Sequence, residues 1–150
     1  MTPLFYRRSA LRAGMALGAS LMLPPARACE YFAANLRILH PWTRASTEGD
    51  HTAVVSMTFD EVTTADRLIA VETSVAAGAE MGGPGAAPAV DFFIPEGQVS
   101  VLSESGTHVR LLGLRHPLEV GRSYPMRLMF ERSGSVGATL NVDYTRLRFK

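Results

Sequence analysis

The chain has 150 residues, of which 47% are hydrophobic and 19% are charged, and its formal net charge is +1 at pH 7. A chain of this length is expected to form one domain with a hydrophobic core of its own. The charges are nearly balanced and no basic patch is interleaved with aromatic residues, which argues against binding to nucleic acid.

The first 28 residues have the features of an export signal. Arg7 and Arg8 form a twin-arginine pair in a positive segment, and an apolar run follows over residues 13–23. That run is about half as long as the roughly 20 residues that a membrane-spanning helix needs. Residues 1–28 are therefore predicted to be a twin-arginine signal peptide cleaved after Ala28, with residues 29–150 forming a periplasmic domain.

Cys29 is the single cysteine of the chain and would be the first residue after cleavage. A lipoprotein carries its lipid on a cysteine at this position, but Arg27 stands where a lipoprotein signal prefers a small residue, so the form without lipid is favoured. One cysteine cannot make an internal disulfide, and the domain is expected to be stabilised by its core alone. Loss of the four signal-peptide arginines leaves 11 basic and 14 acidic residues, a net charge of −3.

The predicted mature domain has almost no helical periodicity. Short alternating or β-branched runs recur instead, separated by glycine, proline and aspartate, which is typical of strands and turns. Seven strands are predicted, at residues 36–40, 52–60, 68–73, 98–103, 108–114, 123–131 and 137–144. Seven short strands in one domain predict the all-β class and a single Greek-key β-sandwich of the cupredoxin-like or immunoglobulin-like kind.

Residues 75–88 are rich in glycine, alanine and proline and are predicted to be a loop that contains Met81. The strand at residues 108–114 follows, and it carries His108 and Arg110 on one face because they are two positions apart. Their backbones are expected to lie about 7 Å from each other.

Alternation is clearest in the last two predicted strands. Met126, Leu128 and Phe130 share one face, and in the next strand Ala138, Leu140, Val142 and Tyr144 are expected to face the core. This alternation at even-numbered positions ends after Tyr144, because the next apolar residues, Leu147 and Phe149, are odd-numbered. The change predicts a bulge or the end of the paired strand.

Several of these stretches resemble the PCu(A)C family of periplasmic copper chaperones. The resemblance begins near residue 35 and includes Trp42-Thr43-Arg44, Ile94-Pro95-Glu96-Gly97, Gly106-Thr107-His108, Pro117-Leu118-Glu119-Val120-Gly121 and Phe130-Glu131. It implies a copper ion bound by two histidines and two methionines, the last pair spaced His-x-Met. In this chain Arg110 replaces the methionine of that pair, and the loop at residues 75–88 offers one methionine where the family has a histidine and a methionine.

On this resemblance, His108 and Met81 are the candidate copper ligands. Cu(I) is soft and favours thioether and imidazole donors, neither of which has to lose a proton. Arg110 cannot donate a lone pair, and its fixed charge repels a cation. Either the side chain of Arg110 turns outward and leaves a site with two or three ligands, or its charge replaces the ion and the pair with His108 binds an anion.

The remaining histidines, His40, His51 and His116, lie at strand ends or in turns and are predicted to be solvated, although a loop that reaches His108 could recruit His51 or His116. Trp42 is predicted to pack in the core, and Arg44 to form a structural ion pair.

No nucleophile elbow, activated cysteine or pair of carboxylates on one strand face is visible, so no enzyme activity is predicted. The resemblance implies a monomeric Cu(I) carrier that acts in respiratory oxidase assembly, with a periplasmic copper-transfer protein or a cytochrome oxidase subunit as partner. The alternative is an interaction or anion-binding module that kept the scaffold after losing the copper site.

Overall fold

The computed structural model describes residues 29–143, and this part of the chain forms strands and one short 3₁₀ helix (Gly83–Gly85). The ten strands are β1 (Glu30–Phe32), β2 (Arg37–Arg44), β3 (Thr52–Asp60), β4 (Asp66–Thr73), β5 (Ala76–Gly82), β6 (Phe92–Ile94), β7 (Ser100–Leu102), β8 (His108–Leu114), β9 (Ser123–Phe130) and β10 (Gly134–Asp143). No helix in residues 29–143 is long and apolar enough to cross a membrane.

The strands pair in the order β5-β8-β3-β2-β10-β9-β4-β6, with β1 added beside β2 and β7 beside β3. All pairs are antiparallel except β2 with β10. The turn at Ser74 and Val75 joins β4 to β5, which stand near opposite ends of this order, so the sheet curls round and encloses its apolar face. The all-β class and the sandwich-like fold are therefore confirmed.

Alternation along β9 and β10 places apolar residues inside, as predicted. Met126, Leu128 and Phe130 are at most 4% exposed, and Leu140 is fully buried. The ring of Phe59 lies in the same core, 6.0 Å from the centroids of Phe92 and Phe130. Removal of these surfaces from water is the main stabilising contribution to the fold.

Ten strands form where seven were predicted, and the loop prediction for residues 75–88 was wrong for its first half. Residues 76–82 form β5, although Ala-Ala-Gly-Ala-Glu-Met-Gly has little strand propensity. Pairing with β8 supplies the backbone hydrogen bonds that stabilise this strand. The predicted strand at 36–40 continues to residue 44, because a bulge between Leu39 and Trp42 accommodates the chain at His40 and Pro41.

Some predictions fall outside residues 29–143. They are the signal peptide at residues 1–28 with its cleavage after Ala28, the inward-facing Tyr144, and the break in parity before Leu147 and Phe149.

Candidate functional site

His108 begins β8 and is only 6% exposed, whereas Val109 is fully buried on the opposite face. The antiparallel register pairs His108 with Gly82 and Arg110 with Glu80 across β5. Directly paired residues of an antiparallel sheet project to the same side. His108, Arg110 and Glu80 therefore share one face, as predicted for His108 and Arg110. Gly82, the partner of His108, adds no side chain to this face.

The two ring nitrogens of His108 have different environments. Nδ1 lies 2.9 Å from the carbonyl oxygen of Gly106. A carbonyl oxygen only accepts, so Nδ1 donates, and in the neutral ring the lone pair is on Nε2. Nε2 is fully buried and has no hydrogen-bond partner in the described part of the chain. Histidines that bind metals are commonly oriented in this way, with one nitrogen held by a carbonyl and the other left for the ion.

Three glycines allow the segment at residues 82–85 to lie directly on the segment at residues 106–108. A Cβ on Gly82 would overlap Nε2 of His108, and one on Gly83 would overlap the carbonyl oxygen of Gly106. Gly83 also has a φ of 78°, which disfavours other residues. A Cβ on Gly85 would lie 3.0 Å from the Thr107 side chain. We call residues 82–86 the glycine strap. It covers His108 and excludes solvent from Nε2.

The change Gly82→Ala tests this packing. We expect the free energy of unfolding to fall by about 1 to 3 kcal/mol, because the new methyl group overlaps a buried ring in a closely packed site. Gly78→Ala is the matched control, since it lies in the same strand with nothing within 4 Å of its Cβ position. Urea unfolding should place the control within about 0.5 kcal/mol of the native chain. Equal stability of the two variants would contradict the contact between His108 and Gly82.

Arg110 stands beside His108 rather than away from it. Its Nη2 atom lies 3.0 Å from the Cβ position of Gly82, which the Nε2 atom of His108 also approaches. Its Nη1 atom is 3.3 Å from a carboxylate oxygen of Glu80, and the Arg110 side chain is 40% exposed. The guanidinium is thus a partly solvated charge next to the imidazole, with Glu80 as its ion-pair partner.

Met81 is 2% exposed and is paired with Val109 in the register of β5 and β8. Both residues belong to the hydrophobic core, so the Met81 side chain projects to the face opposite His108. The fold therefore does not bring the two candidate ligands together on one face. Within residues 29–143, no three His, Cys, Asp or Glu side chains are grouped as a metal site would require.

Two of the other three histidines, His51 and His116, lie near the end of β8 opposite to His108. Leu114, at the far end of β8, donates its backbone N–H to the carbonyl of His51, and His116 follows two residues later. Six residues of strand separate that end from His108, which is about 20 Å. His40 is 52% exposed in the bulge of β2, 3.7 Å from Asp143. The fold therefore does not bring His51 or His116 to His108.

Trp42 is half-buried at a surface groove of about 600 Å³, so its predicted place in the core was wrong. The guanidinium of Arg44 lies 5.9 Å from the Trp42 ring centroid and forms a 2.6 Å ion pair with Glu104. The ion-pair role predicted for Arg44 is thus confirmed. The Trp42 ring lies outside the core because Trp42 pairs with Ser56, whose side chain alternates along β3 with those of the core residues Val55 and Met57.

The residues that sequence reasoning missed are Glu80, Gly82 and Gly106. Two of them act through backbone atoms or through the lack of a side chain, and Glu80 was taken as a loop residue. A signal was present in the glycine spacing at residues 82, 83 and 85, since glycines cluster where one backbone crosses another at short distance.

Comparisons with known proteins identify the family and the fold of the chain. The model of the LpqE-like family (lipoprotein LpqE-like) matches residues 36–142. The chain also matches the apo PCuAC domain from PmoF1, with 30% identity and a TM-score of 0.70, over 76% of this chain and 98% of that one. The copper-bound PCuAC domain from PmoF2 is 28% identical with a TM-score of 0.69, over 76% of this chain and 97% of the other.

A third structure shares the fold at lower identity. The solution structure of Cu(I)-DR1885 from Deinococcus radiodurans is 19% identical with a TM-score of 0.59, over 69% of this chain and 75% of that one. No curated protein matches the chain. The family match covers more than two thirds of the sequence, and the chain belongs to the LpqE-like family of PCuAC-type domains.

Proposed function

We propose that this protein is an exported copper-binding chaperone, which carries Cu(I) toward respiratory oxidase assembly and catalyses no reaction itself. The observation that carries the proposal is His108, with Nδ1 held by Gly106 and Nε2 buried without a partner. The copper-bound state of the PmoF2 domain, which is similar to this chain, supports the choice of metal.

The imidazole can bind Cu(I) without losing a proton, because Nε2 carries the lone pair of the neutral ring. Gly82 lies over this nitrogen and has to move aside before an ion reaches it. A buried acceptor with no partner costs about 1 to 3 kcal/mol, so a ligand at Nε2 would recover part of that cost. Met81, the second candidate ligand, faces the core beside Val109. It would join the site only if the end of β5 left its pairing with β8 and turned over. His108 is therefore the principal ligand of the chain as folded.

Competition against a Cu(I) chelator under reducing conditions tests the proposal. We expect His108→Ala to abolish binding, because the one imidazole that β8 carries is lost. His116→Ala is the control, since His116 is exposed at the far end of β8 and should leave affinity unchanged. Met81→Leu keeps an apolar side chain in the core and reports whether the thioether takes part. Equal affinity of the native chain and His108→Ala would contradict the proposed site.

The presence of Arg110 beside His108 favours a second candidate function. A guanidinium and an imidazole on one face can bind an anionic group, and such a site would have no use for copper. In that case the native chain shows no Cu(I) affinity, and carboxylate or phosphate shifts the His108 ring signals in NMR spectra.

Export through the twin-arginine route is part of the proposal, together with a monomeric periplasmic protein that starts at Cys29. Replacing Arg7 and Arg8 by lysine should retain the precursor in the cytoplasm, because this route depends on the arginine pair. Cell fractionation with mass spectrometry measures both outcomes. Unchanged periplasmic appearance would contradict the route, and a mature mass that includes diacylglycerol on Cys29 would contradict cleavage without lipidation.

A further inference from the structure

The groove beside Trp42 lies on the outer face of β2, β3 and β7, and the register of these strands explains its shape. Leu39 of β2, Thr58 of β3 and Val101 of β7 are aligned in one row. Large side chains stand on β2 and β7, and the strand between them contributes the small side chains of Ser56 and Thr58 as a floor. Since β2 and β7 lie two strand spacings apart, about 10 Å, the groove has the width of one extended chain. Its border is apolar, and Val101 is 54% exposed there.

Carboxylates outnumber guanidinium groups on the outer face of β1, β2, β3, β7 and the end of β10. Register and ion pairs place five carboxylates on these strands or in the turns that follow them: Glu30, Asp60, Glu61, Glu104 and Asp143. The guanidinium groups of the same strands belong to Arg37 and Arg44, which pair with several of these carboxylates. Five negative and two positive charges leave a net charge of −3 on this part of the surface. The groove therefore favours a positively charged occupant.

Residues 145–150, which we call the basic segment, have the complementary composition. They read Thr-Arg-Leu-Arg-Phe-Lys and contain three positive charges and no acidic side chain. In an extended chain successive side chains point to opposite sides, so Leu147 and Phe149 share one side and the three cations share the other. The apolar side matches the border of the groove, and the long cationic side chains can reach the carboxylates beside it.

The end of β10 brings the chain to this face. Asp143 is aligned with Arg44 in the parallel pairing of β10 with β2, and its carboxylate lies 3.7 Å from His40. Both Arg44 and His40 line the groove. The alternation of β10, carried past Asp143, directs Leu147 and Phe149 to the outer face instead of to the core. Six extended residues span about 20 Å, so the basic segment is long enough to lie across the groove.

We propose that the basic segment docks in this groove of its own chain, with Leu147 and Phe149 against the ring of Trp42. Docking removes two apolar side chains from water and pairs opposite charges, and both changes are favourable. The short connection to Asp143 holds the segment at an effective concentration on the order of millimolar, which favours it over the same segment of another chain. The inference goes beyond the proposed function, because it concerns a different part of the surface and does not require copper.

Trp42 is the single tryptophan of the chain, so its fluorescence reports on the groove. Leu147→Ser combined with Phe149→Ser removes the apolar contacts of the basic segment. We expect acrylamide to quench Trp42 about twofold more strongly in this double variant, because a ring that is covered for half of the time or more is shielded for that fraction. Phe93→Ser is the matched control, since it removes a 52% exposed ring from β6, at one end of the strand order, and should leave quenching unchanged.

A synthetic peptide of residues 144–150 tests the occupant directly. Added to the double variant, it should fill the free groove and lower the quenching of Trp42 to the native value in a saturable titration. A peptide with glutamate at the three cationic positions should have no effect, because it meets carboxylates of the same sign. In the full chain, Arg146→Glu combined with Arg148→Glu should release the basic segment and raise quenching as the apolar double variant does.

Three results would overturn the inference. Equal quenching of Trp42 in the native chain and in both double variants shows that the basic segment does not cover the ring. Protection of Trp42 in the native chain that rises with protein concentration assigns the groove to a second copy of the chain. Equal restoration of protection by the basic and the acidic peptide removes the charge match on which the choice of occupant rests.

Discussion

Replacement of Asp66 by asparagine is expected to lower the free energy of unfolding by about 3 kcal/mol. Asp66 is 3% exposed at the start of β4. One carboxylate oxygen accepts from the backbone N–H groups of Arg67 and Arg132, at 2.8 and 2.9 Å. The other accepts from the backbone N–H and the hydroxyl of Ser133, at 3.0 and 2.6 Å. These bonds join β4 to the turn between β9 and β10.

Asparagine has nearly the same shape but only one accepting oxygen. Its NH₂ group would face donors of Arg132 or Ser133, so a buried N–H would lose its partner whichever way the amide is turned. Hydrogen bonds to a charged acceptor contribute about 1.5 to 3 kcal/mol each, and a buried donor without a partner adds its own cost.

The effect should depend on pH. Burial raises the pKa of Asp66, but the hydrogen bonds from Ser133, Arg132 and Arg67 outweigh it and hold that pKa below its ordinary value. A carboxyl with a lowered pKa in the folded state stabilises the protein above the pKa of the unfolded chain, about 4, and the contribution is lost as pH falls through the folded value. The difference between the native chain and Asp66→Asn should therefore be full at pH 7 and shrink below about pH 4.

Urea unfolding at pH 7 and pH 3 measures both effects. Asp91→Asn is the control, because Asp91 pairs with Arg67 at the surface and is 57% exposed, where an ion pair contributes about 1 kcal/mol or less. A loss in Asp66→Asn no larger than that of the control, or a difference that grows on acidification, would contradict the role assigned to Asp66.

Strands with strong side-chain signals were predictable from the sequence. The bounds 52–60 and 108–114 match β3 and β8, because β-branched and large apolar residues alternate there. β5 and β1 were missed for a physical reason. An Ala/Gly-rich strand has little preference of its own and depends on its neighbour, and β1 is three residues long and depends on β2.

Only the part of the site that depends on the alternation of side chains along one strand could be predicted from the sequence. The shared face of His108 and Arg110 follows from their spacing. The opposite orientation of Met81 depends on the register of β5 with β8, which pairs it with Val109, and no local pattern encodes a register between strands so far apart in sequence. The contact of His108 with Gly82 is likewise a product of that register.

Changing Arg110 to methionine is expected to raise Cu(I) affinity by more than about tenfold, which is 1.4 kcal/mol of binding free energy. The change removes a positive charge that lies beside Nε2 of His108 and adds a thioether two positions away on the same face. It supplies within the chain a second soft ligand on the face that carries His108.

Chelator competition measures this gain, and two further variants separate its causes. Arg110→Gln removes the charge without adding a ligand, so a gain equal to that of Arg110→Met would assign the whole effect to repulsion. Arg115→Met is the matched control, since it makes the same change at an exposed position just beyond the far end of β8 and should leave affinity as it is. His108→Ala in the Arg110→Met background should lose binding, because the thioether alone does not hold the ion. Identical titration curves for the native chain, Arg110→Met and His108→Ala would show that copper does not bind at this strand.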